Sequence, residues 1–203
     1  MTAILKVDTI QDTSGNNIIN ESSDTITIGA SGDTIALAGT TVTGITQGIT
    51  MADQWRLTTQ FTGNANPIAS NWERNDTAPA LSYFGSQMTE SSGVFSFPST
   101  GIYFVIFHAQ FSLSSSSQYS SAYINTTTNN STYVTAAGAD THISQVSSLT
   151  TYVYAHTDII VDITDTSNQK VNFRVDHQDT NTATKGSSTY DATFVRFIRL
   201  GDT

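Results

Sequence analysis

The aromatic residues of this 203-residue chain all lie in its C-terminal three quarters. Both Trp, all eight Tyr and all ten Phe occur from Trp55 onward, whereas residues 1–54 have no aromatic residue and no proline. Large apolar side chains supply most of the buried area that holds a domain together. The sequence therefore predicts one cored domain, the knob of residues 55–203, preceded by an appendage that has no core of its own.

The composition favours strands over helices in both regions. Thr, Ser and Asn supply 72 of the 203 residues, while Lys and Glu, which line exposed helices, occur three times each. Thr suits a pleated sheet because its Cβ is branched. From Trp55 onward, eight to eleven strand-like segments follow one another with turn signals between them. We therefore predict an all-β fold, with the knob a sandwich or jelly roll.

The appendage contains a short repeat. Asp-Thr-Ile begins at Asp24 and again at Asp33, and each copy alternates polar and apolar residues, as a strand with one buried face does. Two apolar side chains per strand are too few for a core, but three chains around an axis would bury them together. Residues 21–54 are thus predicted to form a trimeric β stalk, the alternative being a disordered leader. The candidate stalk core is Ile26, Ile28, Ile35, Leu37, Val42 and Ile45.

A second sign of self-association is the strand predicted at residues 101–109. It is apolar on both faces for most of its length. One face would meet the core of its own chain and the other a neighbouring subunit, unless a loop covers it. We assign the trimer interface of the knob to Tyr103, Val105, Phe107 and Phe197.

Charge and composition exclude several classes of function. The formal net charge is -9, which disfavours nucleic-acid binding because phosphate affinity comes from Lys and Arg. There is no cysteine, and no apolar run approaches the ~20 residues that span a bilayer, so membrane insertion is not expected. The first residues lack the pattern of a signal peptide, so synthesis in a cytoplasm is expected.

The residues that carry catalysis elsewhere do not form a recognisable site. The four histidines, at 108, 142, 156 and 177, are not spaced as zinc ligands, and no Gly-x-Ser-x-Gly turn occurs. A carboxylate pair would make the protein a polysaccharide depolymerase. However, the acids are mostly Asp predicted at turns, where they bond to local backbone: Asp162, Asp165, Asp176 and Asp179. We therefore predict that the protein is not an enzyme.

Three segments rich in Tyr, Asn and small polar residues are candidates for recognition: residues 114–123, 125–133 and 178–190. Loops at one end of a rigid sandwich are the usual place for binding, and Tyr and Asn suit sugars because they stack and donate hydrogen bonds. Ordinary solvent loops are the alternative reading. The candidate receptor-facing residues are Tyr119, Tyr123, Asn129, Tyr133 and Tyr190.

The stretch from Gly93 to Phe104, with Phe-Pro-Ser-Thr-Gly-Ile-Tyr-Phe at its end, resembles the C1q/TNF-like trimeric jelly roll. Residues 188–197 resemble the Phe-rich closing strand of that family, and Asp158 matches its Gly-Asp, although the glycine is missing. The resemblance implies a homotrimeric jelly roll over residues 55–203. Some members hold calcium near the trimer axis, which leaves calcium open here, but no contiguous calcium loop occurs and no cofactor is expected.

The start of the chain, Leu-Lys-Val-Asp-Thr-Ile-Gln-Asp-Thr-Ser-Gly-Asn from Leu5, resembles the leader of fibre-type structural proteins of tailed bacteriophages. This implies a virion appendage in which residues 1–20 dock to other virion proteins, with Ile4, Leu5, Val7 and Ile10 as contacts. The knob would then bind a glycan or outer-membrane receptor on the host. A tail fibre and a head fibre both fit, and a capsid decoration protein without a receptor role is the alternative, ahead of a depolymerase.

Overall fold

The computed structural model describes residues 9–11, 13–14, 17–22, 25–28, 32 and 48–203. The chain divides into two compact units, residues 1–45 and 46–203, and each is described by itself. Seven residues assigned to virion docking or to the stalk core lie outside the described residues: Ile4, Leu5, Val7, Ile35, Leu37, Val42 and Ile45.

Every regular element among the described residues is a β-strand, which confirms the all-β prediction. In chain order the strands are β1 (Thr9–Gln11), β2 (Asn17–Ser22), β3 (Thr25–Ile28), β4 (Met51–Leu57), β5 (Phe61–Thr62), β6 (Trp72–Arg74), β7 (Tyr83–Phe84), β8 (Thr89–Ser91), β9 (Val94–Ser96), β10 (Gly101–Leu113), β11 (Ser117–Thr127), β12 (Val134–Ile143), β13 (Thr151–Ile163), β14 (Lys170–His177), β15 (Ala183–Thr184) and β16 (Phe194–Gly201).

The N-terminal unit contains a small antiparallel sheet in the order β1-β2-β3. Ile19 is paired with Ile10 on one side and with Ile28 on the other. Ile26 and Ile28 both lie in β3. Three such short strands are marginal as an independent sheet, and their burial in a trimeric stalk remains a prediction.

The C-terminal unit is a sandwich of two antiparallel sheets. The front sheet runs β13-β10-β16-β4, with β6 and β7 on the far side of β4 and with β15 and β5 beside the end of β10. The back sheet runs β12-β11-β14-β9-β8. The first strand of the sandwich, β4, begins at Met51, four residues before the predicted start of the knob at Trp55.

The core between the sheets is built from aromatic rings. The ring of Phe173, in the back sheet, lies 5.4 Å from Phe95 and 5.0 Å from Phe107 between ring centroids. Trp55 and Trp72 both meet Phe95 nearly edge-on. Such contacts add to the area that each ring buries. The aromatic residues after residue 54 thus supply the core that their number predicts.

The predicted knob interface is wrong, because its residues belong to this core. Four side chains were assigned to contacts with another subunit, and each has no exposed surface within the single chain: Tyr103, Val105, Phe107 and Phe197. They point between the two sheets and pack against the aromatic rings. The opposite face of β10 is the one that is open to other molecules.

The two ends of the sandwich differ in what they carry. At the end called proximal, β4 begins, β10 begins and β16 ends, with Arg199 paired to Met51. The opposite, distal end has the loops of residues 114–116, 144–150 and 178–182, because β10 runs there to Leu113 beside Thr151. The chain enters the sandwich at the proximal end.

Two ionic contacts fix residues 72–88 against β4. Arg56 is fully buried, and its guanidinium donates to Glu73 and to the hydroxyl of Thr77, both at 2.7 Å. Asp53 is also buried and accepts from Arg74 at 3.1 Å. A buried charge without a partner is costly, so these pairs tie the segment to the sheet.

Replacing Phe173 with Ala is expected to lower the free energy of unfolding by about 3–5 kcal/mol, because the variant leaves a cavity among four aromatic rings. Denaturant unfolding monitored by tryptophan fluorescence measures the change. Tyr190→Ala is the control, because Tyr190 is 58% exposed and its removal should change stability by about 0.5 kcal/mol or less. An equal effect of both variants would contradict the packing described here.

Stability should fall as the pH falls below about 6.5, in part because of His177. This side chain is 2% exposed, and burial lowers its pKa from 6.5 to about 4. Between these two values the unfolded chain takes up a proton that the folded chain does not, so acid favours unfolding, by roughly 2 kcal/mol at about pH 5.

Urea unfolding at about pH 7.5 and pH 5 measures this dependence. His177→Gln should remove most of this share of the pH dependence, whatever its effect on absolute stability, while His142→Gln, at an exposed position, should leave the dependence unchanged. A wild-type pH dependence in His177→Gln would refute the assignment.

Candidate functional site

The outward face of the front sheet carries a continuous row of apolar side chains across five strands. The register pairs Phe104 of β10 with Ile160 of β13 and with Ile198 of β16. Ile160 is 61% exposed, and Phe104 and Ile198 are half-buried. The row, called the apolar row below, consists of Ile160, Phe104, Ile198, Ala52 and Phe84.

The next row toward the distal end combines charge with one apolar residue. Ile106 of β10 lies between Asp158 and Arg196 in the register. Arg196 donates to Asp191 at 3.1 Å and to the side-chain oxygen of Gln54 at 3.2 Å, so two side chains hold its guanidinium in place. An acid and a base therefore flank the centre of the face on opposite sides.

Aromatic rings occupy the third row. His108 stacks on Phe194 with ring centroids 4.9 Å apart, and its cross-strand neighbour His156 lies 5.7 Å away. Burial, and then the nearby His156 and Arg196, lower the pKa of His108, so its imidazole is neutral at pH 7. His108 and His156 are far apart in the sequence, and the pairing of β10 with β13 brings them together.

This face has the composition of a protein–protein contact surface: a continuous apolar centre, aromatic rings and a charged border. The apolar residues of this face are not among those predicted from the sequence; they are Phe104, Ile106, Ile160 and Ile198. One signal was present in β10. His108 and Gln110 have the same parity as Phe104 and Ile106, whereas the odd-numbered positions stay apolar through Leu113. Polar residues mark the face that is not part of the core.

The distal loops are joined to one another by side-chain hydrogen bonds. Ser114 and Thr150 share a bond of 3.0 Å between their hydroxyls, and Gln145 donates its amide to the carbonyl of Ser114 at 2.8 Å. Ser115 donates to Asp179 at 3.0 Å. The backbone N–H of residue 181 and the hydroxyl of Ser115 lower the pKa of Asp179, which keeps it ionised as an acceptor. Three loops are thereby held in one arrangement.

A shallow cleft, called the distal cleft below, opens beside these loops where β10 ends and β13 and β15 begin. Tyr152 is 53% exposed on one side, and the Lys185 ammonium lies 6.0 Å from the centre of its ring. Lys185 also donates to the side-chain oxygen of Gln60. The lining residues used below are Gln60, Ser114, Thr150, Tyr152, Asn181 and Lys185.

The predicted receptor-facing residues are not brought together. Tyr119 and Tyr123 lie within β11 rather than in a loop. Tyr119 is exposed near the distal end, but Tyr123 is half-buried, with the Arg174 guanidinium 5.0 Å from its ring centre. The ring of Tyr123 also packs onto Gly138, where a Cβ would come within 2.5 Å of it.

The other three predicted residues are at separate places. Asn129 belongs to the proximal end, where its side chain accepts from the backbone N–H of Ser131 at 3.0 Å and of Thr132 at 2.8 Å. Tyr133 is half-buried next to β12, and burial raises the pKa of its hydroxyl. Tyr190 is exposed in the segment between β15 and β16.

Two of the four acids predicted at turns act as local caps. Asp165 accepts from the N–H of Ser167 at 2.8 Å, and Asp179 accepts from that of Asn181 at 2.9 Å. The side-chain amide of Asn168 and then the N–H of Ser167 lower the pKa of Asp165. The other two differ from the prediction, because Asp162 lies in β13 and Asp176 lies in β14.

Over the part of the chain that the structure describes, His, Asp and Glu side chains form no group of three that could hold a metal ion. Within the same residues, no helix is long and apolar enough to cross a membrane.

Comparison with known protein families finds no match, and comparison with curated proteins finds none. Solved structures do match. The Eiger TNF of S. frugiperda has a TM-score of 0.54 at 12% identity, with 77% of this chain and 96% of that chain covered. Murine APRIL at pH 8.5 has a TM-score of 0.51 at 12% identity, covering 74% and 98%. At such identities the similarity shows the fold alone, which is a TNF-like jelly roll, as predicted.

Proposed function

We propose that this chain is a non-catalytic, homotrimeric fibre-type protein of a bacteriophage particle, and that its jelly roll attaches the particle to the host surface. The observation that carries the proposal is the apolar row on the front sheet, which a single chain leaves uncovered. The leader that resembles phage fibre proteins supports the placement in a virion.

Self-association explains the front face better than exposure to water does. Each buried Å² of apolar surface contributes about 25 cal/mol, and Ile160, Phe104 and Ile198 lie side by side on this surface. Around a threefold axis each contact joins two different patches of neighbouring copies, so a neighbouring copy can cover the apolar row, and Asp158 and Arg196, on opposite sides of Ile106, provide opposite charges for such a contact. Three copies of the sandwich around one axis would also match the stalk, which is predicted to be trimeric because its repeated strands have too few apolar side chains for a core in one chain.

Attachment to a host surface suits the distal end. The chain enters the sandwich at the proximal end, so the distal loops face away from that point. The hydrogen bonds around Ser114, Ser115 and Thr150 hold these loops in one arrangement, which lowers the entropy lost when a ligand binds. Three sites on one axis, repeated over several fibres, give avidity without any new contact.

The trimer predicts the effect of a charge placed on the apolar row. The full wild-type chain should sediment at micromolar concentration as a species of about three times 21.8 kDa. Ile160→Lys should weaken association at least tenfold, which is about 1.4 kcal/mol, because it buries an unpaired charge. Leu149→Lys is the matched control, since Leu149 is 67% exposed in a distal loop outside this face. A folded wild-type monomer would overturn the trimer.

Attachment predicts binding without turnover. The purified full chain should bind host cells and leave the length of envelope polysaccharide unchanged, as measured by size-exclusion chromatography. Removing residues 1–20 should abolish incorporation into particles and leave cell binding intact. Release of short oligosaccharides would favour a depolymerase, and absence of cell binding would favour a capsid decoration protein.

A further inference from the structure

We propose that the distal cleft binds an acidic sugar residue, with Lys185 pairing with the sugar carboxylate and Tyr152 stacking against the pyranose ring. This inference rests on the proposed function, because it assigns the attachment that function requires to one site and one class of ligand. It follows from a cation, an exposed ring and a set of fixed polar groups that the fold brings together from four parts of the chain, around residues 60, 114, 150–152 and 181–185.

First, carboxylates pair with most of the positively charged side chains in the part of the chain that the structure describes. All five arginines there have a carboxylate partner, namely Glu73 and Asp76 for Arg56, Asp53 for Arg74, Asp176 for Arg174, Asp191 for Arg196 and Asp202 for Arg199. The two described lysines differ from the arginines, because Lys170 donates to the carbonyl of Thr166 and interacts electrostatically with Asp165, whereas Lys185 donates to the neutral amide oxygen of Gln60 and has no carboxylate partner among the residues described. In a chain of net charge -9, a cation that retains its capacity to pair is unusual.

The second argument is the position of Tyr152. Its neighbours across the front sheet are Ser112 and, one strand further, Ala183, both of which are small. The ring therefore stands above its surroundings and is half exposed, which leaves a flat apolar surface beside a hydrogen-bonding hydroxyl. A tyrosine of this kind offers a large rigid contact at low entropic cost, and it suits the apolar C–H face of a sugar.

The third argument is that the polar groups of the cleft are held in place. The side-chain amide of Asn181 donates to Asp179 at 3.0 Å, which orients its oxygen away from that carboxylate and makes it an acceptor for a hydroxyl group. The hydroxyl of Thr150 is positioned by its bond to Ser114. Amides and hydroxyls around one ring and one cation fit a polyhydroxylated ligand with a single negative charge. A polyphosphate would call for several cations.

The test uses the full chain and three acidic probes, oligosaccharides of galacturonic acid, glucuronic acid and N-acetylneuraminic acid. The methyl ester of each is the matched ligand without charge. Saturation-transfer NMR should show binding of at least one acid, with its ester about tenfold weaker or more. Lys185→Gln should reduce binding of the acid to that of its ester, and Tyr152→Ala should abolish both, whereas Tyr152→Phe should retain most of the affinity.

Two control variants have similar chemistry elsewhere on the sandwich. Lys170→Gln removes a lysine at the proximal end of β14, and Tyr190→Ala removes an exposed tyrosine that the sequence predicted to face a receptor but that does not line the cleft; if the cleft is the site, both bind like the wild type. The inference is overturned if none of the three acids binds, if an ester binds as well as its acid, or if the control variants lose as much affinity as the cleft variants.

Cell binding by the same variants separates this inference from the proposed function. If the wild type binds host cells and Tyr152→Ala and Lys185→Gln do so equally well, attachment stands and the cleft is not its site. If the wild type does not bind cells, the attachment role fails, whatever the oligosaccharides show.

Discussion

The structure of this sandwich depends on the two faces of β10, one of which is buried in the core while the other points outward. Its odd-numbered side chains, from Tyr103 to Phe111, fill the space between the sheets, and its even-numbered ones line the outward face. The strand has β13 along one edge and β16 and β15 along the other, so neither edge of β10 is open to another strand along most of its length. Because the core uses one face completely, the apolar residues of the other face remain uncovered in a single chain. The proposed self-association rests on this division.

The sequence was sufficient to predict the fold class and to show that both faces of the long central strand are apolar. It was not sufficient to tell which of the two faces is buried in the core. Alternation gives a strand two sides, and both sides of residues 101–107 are apolar. The decision needs the neighbouring strands, because burial depends on what lies opposite. The polar His108 and Gln110 indicate which face of β10 points outward. The predicted interface nevertheless contains Tyr103 and Phe107, which lie on the opposite face.

The recognition residues were harder to predict, for reasons of register and loop geometry. Tyr123 looks like a contact residue in a polar segment, but the strand places it between Arg174 and Gly138, where it packs. Tyr152 lies within β13, outside the segments predicted for recognition, and the small Ser112 and Ala183 are its neighbours across the front sheet. The distal cleft includes residues 114, 181 and 185, which belong to two of the segments predicted for recognition, but Gln60 and Tyr152 lie outside those segments and join the cleft only through the fold.

The first and last strands of the sandwich, β4 and β16, are hydrogen-bonded neighbours, with Met51 opposite Arg199 at the proximal end. Polypeptide joined to either strand therefore emerges at the same end, opposite the distal cleft. Such a domain can be joined to a different stalk, or replaced by another jelly roll, without interrupting either sheet. Under the proposed function, recombination at this one junction would exchange the attachment domain and leave the other parts of the chain unchanged.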